Sequence, residues 1–92
     1  MKLVIRAKAA DDLAAIFAWI AKDSPHAAED IVKRIRRRIG LLLTPGLASI
    51  GRPGLDRGTR ELVEYPYIIV YEVHERRGQI VVLAVFHGAQ DR

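Results

Sequence analysis

Between Thr59 and Ala89 the chain carries three runs of residues suited to a pleated, buried surface: Arg60–Glu64, Tyr67–Val73 and Gln79–His87. The last two are joined by HERRG, ending at Gly78, which is too short a link for a crossover, so they must lie antiparallel. Neither run alternates apolar with polar residues. In the middle run Tyr67, Ile69, Tyr71 and Val73 point one way, and Ile68 and Val70 the other. In the last run Ile80, Val82, Ala84 and Phe86 oppose Val81, Leu83 and Val85. A sheet with one wet face alternates apolar and polar; this one calls for cover on both sides.

A chain of 92 residues, half of them hydrophobic, makes one domain spanning 1–92 with ample material for a single core. The absence of cysteine excludes disulfides, thiolate zinc sites and thiol catalysis, and fits a reducing compartment. No apolar run approaches the roughly 18–20 residues needed to cross a bilayer, so no membrane association is expected. The start, MKLVIRAKAADD, lacks the apolar stretch of a signal peptide, which leads to an expected cytoplasmic location. A net charge of +4 and a pI near 9.9 suit an acidic partner, whether nucleic acid or an acidic protein segment.

Ahead of the strand runs, Lys2–Arg6 forms a short strand of the same sheet. From about Ala9 the period becomes helical: Leu13, Ile16, Phe17 and Ile20 fall on one face, with Asp11 and Asp12 expected in the first turn, favoured by the helix dipole. Trp19 lies beside that stripe as a boundary residue. Ser24 and Pro25 are an N-cap and first helical residue for a second helix, with Ala28, Ile31, Val32, Ile35, Ile39 and Leu42 on one side. Lys33, Arg34, Arg36, Arg37 and Arg38 occupy the remaining circumference. They suit a solvated outer face, with cations toward the helix C-terminus; no aromatic neighbour in the sequence offers a base-stacking partner. Thr44-Pro45-Gly46 stops the helix. The loop that follows to Gly58, with Arg52 and Arg57, is long enough to be functional or mobile.

The expected fold is α+β in the order β-α-α-β-β-β, an antiparallel sheet with a helical hairpin on one face. Two helices cover only one face. Ile68, Val70, Leu83 and Val85 are therefore expected to face a partner, flanked by Arg52 and Arg57. His26 and His74 have no ligand-spaced companions, so neither a metal site nor a cofactor site is expected, and no phosphate loop or nucleophile elbow is present.

Several pieces recur together: D-L-x-x-I (Asp12, Leu13, Ile16), S-P-x-A-A from Ser24, G-R-x-G from Gly51, G-T-R-E-L (Gly58–Leu62), Y-I-I-V-Y-E-V (Tyr67–Val73) and V-F-H-G-A (Val85–Ala89). In this order and spacing they resemble the RelE/ParE superfamily of toxins from bacterial type II toxin–antitoxin modules, also called plasmid-stabilisation proteins. The resemblance covers nearly the whole chain and implies one of two activities. ParE-like members inhibit DNA gyrase by binding it. RelE-like members are ribosome-dependent endoribonucleases that cut mRNA without a metal.

A ribonuclease of that kind needs a base, cations at the phosphorane and an acid. By matching to the RelE-like pattern, a catalytic arginine would stand at Ile68, which can neither donate nor titrate, and a basic position falls at or beside Glu61. Arg60, Glu61 and His87 are the remaining candidates, although Arg60 and Glu61, adjacent on a strand, point to opposite faces. The resemblance thus implies a ParE-like binding protein more than an enzyme. It also implies a cognate antitoxin with an acidic tail that folds on the toxin.

Overall fold

The computed structural model describes residues 1–89. Its elements are β1 (Lys2–Ile5), α1 (Ala7–Ala21), α2 (Pro25–Leu41), β2 (Arg52–Pro53), β3 (Arg60–Glu64), β4 (Tyr67–His74) and β5 (Gln79–His87). A single 3₁₀ turn, Glu75–Arg77, links β4 to β5, and Gly78 closes it at φ +60°, a conformation open to glycine without strain. The strands form one sheet in the order β1-β5-β4-β3-β2. β1 runs parallel to β5 while every other pair is antiparallel, so the sheet is mixed. β2, a two-residue strand inside the long loop, extends the sheet at its far edge.

The helices begin where local chemistry allows. Ser24 Oγ accepts from Ala27 N at 3.1 Å and Pro25 opens α2, satisfying one of the amides that a helix start leaves without a partner. α1 starts earlier than its apolar period suggests, at Ala7, with Arg6 in the cap position. Asp11 and Asp12 therefore lie in its second turn, and the expected dipole role is corrected. Asp12 takes two other partners: Lys8 Nζ at 2.7 Å and, across the fold, the backbone N–H of Val85 at 2.9 Å.

One face of the sheet is sealed by the hairpin. Leu13 of α1 and Ile35, Ile39 and Leu42 of the α2 region pack on Leu62, Tyr67, Ile69, Tyr71, Ile80 and Val82. Removing these groups from water drives the fold, at roughly 1.5–3 kcal/mol for each large side chain.

Between Val70 and Tyr71 the β4–β5 register shifts: Tyr71 pairs with Val82 but Val70 pairs with Ala84. Leu83 is the extra residue of a β-bulge, and every later side chain of β5 changes face. Val85 thus joins the helix-covered core at 3% exposure. Ala84 and Phe86 pass to the opposite face. Val85 is not a partner-facing residue beside Ile68 and Val70, and that expectation is corrected.

The opposite face is less bare than two helices suggest. Ile68 is 7% and Val81 2% exposed within this chain alone, while Val70, Leu83, Ala84 and Phe86 are half-buried. Leu55, Asp56 and Thr59 of the loop line a hollow with Glu61 and Val70, and Gly88 packs beside Ile68. The expectation of a wholly uncovered second face is corrected to an open margin around a closed centre.

Candidate partner-binding surfaces

The long loop is fastened to the sheet by the residues singled out for chemistry. Arg60 Nη1 donates to the carbonyls of Ser49 at 3.2 Å and Gly51 at 3.0 Å. Gly51 N donates to Tyr71 Oη at 3.0 Å, and a Cβ on Gly51 would come within 2.8 Å of the Tyr71 ring and the Glu61 carbonyl. On the opposite face Glu61, buried, accepts from Arg52 Nε and Nη2, both at 3.1 Å. Thr59 Oγ1 donates to the Asp56 carbonyl at 2.6 Å and Thr59 O accepts from Gly54 N at 2.9 Å, closing the turn between β2 and β3. The G-R-x-G and G-T-R-E-L motifs therefore form one clasp. Its glycine permits close approach, and its arginines donate to carbonyl oxygens and pair with a carboxylate that would be costly to bury alone.

His87 lies elsewhere. It pairs with Tyr67, the β4 residue opposite Glu64, whereas Arg60 pairs with Tyr71. Four residues along a strand separate the two ends by about 13 Å. The His87 ring stands edge-on to Tyr67, with centroids 5.5 Å apart and planes at 81°, and its Nδ1 accepts from Ala89 N at 3.1 Å. Arg60, Glu61 and His87 are thus divided between two faces and two ends of the sheet. They do not converge on a point where a base, a clamp and an acid could share one phosphate.

What His87 and Tyr67 do line is a cleft of about 410 Å³ between α1 and the end of β5, bordered also by Asp12, Ile16, Trp19 and Val85. It opens where β1 has ended and no longer flanks β5; Asp12 caps the Val85 amide at that point. Trp19, 71% exposed, stands at its rim with Lys22 Nζ 5.0 Å from the ring centroid. Trp19 is read from the sequence as a boundary residue, but the cleft floor is not legible there, because the β-bulge that turns Val85 inward leaves no mark in an uninterrupted apolar run.

Among the remaining candidates, Val70 and Leu83 sit on the open margin of the far face, with Ile68 buried between them and Gly88. Arg52 is committed to Glu61 but half-exposed, and Arg57 is exposed with no ion pair among the described residues. In the same residues there is no group of three or more His, Asp or Glu side chains placed to hold a metal ion. No helix there is long and apolar enough to cross a membrane.

The fold is thus a two-helix hairpin on a five-stranded mixed sheet, with a clasped loop and a cleft at the sheet end. The family model for the ParE toxin of type II toxin–antitoxin systems matches residues 3–92. A candidate toxin of Sinorhizobium fredii, Y4kP, is 39% identical over 77 residues, covering 82% of this chain and 75% of Y4kP. A structure of the chromosomal ParDE toxin–antitoxin system of P. aeruginosa superposes with a TM-score of 0.80 at 27% identity, over 95% of each chain. The RelBE2 toxin–antitoxin complex of Mycobacterium tuberculosis matches at a TM-score of 0.60 and 22% identity, over 94% of this chain and 95% of the other, which shows a shared fold. The chain belongs to the ParE toxin family of type II toxin–antitoxin systems.

Proposed function

We propose that this toxin acts by binding DNA gyrase and inhibiting it, without chemistry of its own, and that a cognate antitoxin with an acidic, initially disordered tail neutralises it. The observation that carries the reading is the division of Arg60, Glu61 and His87 between faces and ends of the sheet. Two of the three are occupied in clasping the loop. A metal-independent ribonuclease would need such groups gathered at one phosphate. The likeness to a ParDE toxin over nearly the full chain supports the same conclusion.

On this reading the antitoxin docks on the open margin of the far face, at Val70 and Leu83 with Ile68 beneath, where the exposed Arg57, near the Glu61-paired Arg52, offers charge to an acidic segment. Purified protein separates the two activities. Inhibition of gyrase supercoiling, with mRNA on translating ribosomes left intact, is the expected result. Codon-dependent mRNA cleavage with unimpaired supercoiling would replace this reading with the ribosome-dependent endoribonuclease.

A further inference from the structure

The basic surface of α2 has no aromatic neighbour in sequence, but the fold brings the backbone of one, Tyr65, within hydrogen-bonding reach of it. Arg34, Arg37, Arg38, Leu41 and Glu64 line a hollow of about 300 Å³ between α2 and the end of β3. Glu64 accepts from Arg38 Nε at 3.2 Å and from Arg34 Nη2 at 3.3 Å. The same Arg34 nitrogen lies 3.4 Å from the carbonyl oxygen of Tyr65, to which it donates. One carboxylate thus orients two guanidinium groups. Arg37 makes no ion pair among the described residues, so the hollow keeps an excess of positive charge. Tyr65, at the β3–β4 turn, is 82% exposed.

We infer that this corner of the molecule binds single-stranded nucleic acid, with Arg37 and the outward N–H groups of Arg34 and Arg38 on phosphates and the Tyr65 ring stacked on an unpaired base. Guanidinium forks match phosphate oxygens, and fixing them through Glu64 lowers the entropy lost on binding. Arginines alone would serve an acidic peptide. A tyrosine left almost wholly in water, on the residue whose carbonyl holds Arg34, is the feature that a base, with its flat π-face, can use. A duplex hides that face, which favours the single strand. The inference goes beyond gyrase inhibition and does not depend on it.

The test is fluorescence anisotropy of the purified full chain with labelled oligothymidylate and oligouridylate of roughly 10 nucleotides, a length within the usual site sizes. A duplex of equal length serves as comparison. Binding of either strand, tighter than of the duplex, is expected, and the two strands distinguish DNA from RNA as the ligand. Tyr65→Ala should weaken binding about fivefold or more while Tyr65→Phe retains it, since stacking needs the ring and not the hydroxyl. Arg37→Ala should weaken binding and reduce the salt dependence by about one phosphate contact. Arg77→Ala, at the β4–β5 turn, removes the same charge elsewhere and should change affinity less than about twofold. Arg37 and Tyr65 are both exposed, so melting curves should match the parent protein. No binding at low salt, preference for the duplex, equal effects of Arg37→Ala and Arg77→Ala with none from Tyr65→Ala, or displacement by polyglutamate at equal charge would each overturn the inference.

Discussion

The two faces of the sheet are built from nearly the same residue types and end in different states. On the helix side Ile69, Tyr71, Ile80 and Val82 are wholly enclosed by the hairpin. On the other side Ile68 and Val81 are enclosed, but Val70, Leu83 and Phe86 remain half-open and Val63 is 40% exposed. Apolar composition alone does not distinguish a core from an interface. What distinguishes them is whether a regular element lies over the surface. A half-closed face can remain folded alone and still gain by burying more area against a partner.

That contrast can be broken at several strengths. Ile35→Ala, on the sealed side, should cost about 2–5 kcal/mol in chemical denaturation because it opens a cavity under the hairpin. Asp12→Ala should cost about 1–3 kcal/mol, since it strips the Val85 amide of its acceptor at the point where β1 ends. Arg52→Ala should cost about 1–2 kcal/mol through the buried Glu61 carboxylate, and should raise proteolysis of the 53–58 loop. On the open margin, Val70→Ala should lower stability by no more than about 1 kcal/mol yet weaken antitoxin binding in a titration more than Arg36→Ala does. Equal losses for that last pair would move the interface away from the far face.

Much of the fold could be anticipated from the residues. Strand runs rich in Ile, Val and Tyr, the Ser24-Pro25 helix start and the Pro45-Gly46 stop are local signals, and the elements follow them. Three features were not legible, for distinct reasons. The bulge at Leu83 falls within a run apolar on both faces, where an extra residue leaves the pattern unchanged, so strand alternation alone assigns Val85 to the wrong face. The capping of Val85 by Asp12 and the meeting of Arg34 with Tyr65 join residues far apart in the chain, which periodicity cannot see. Conversely, the opposite facing of Arg60 and Glu61 needed only the two-residue repeat of a strand, and that single fact already weakened the ribonuclease reading.

The most direct test of a toxin that works by occupation is to titrate it against gyrase at several gyrase concentrations and follow supercoiling. A binding inhibitor should give half-inhibition at a toxin level that rises in step with gyrase once gyrase exceeds the dissociation constant, and Arg60→Lys with His87→Ala should leave that relation intact. Turnover of an RNA substrate at far below one toxin per target, abolished by His87→Ala, would contradict it.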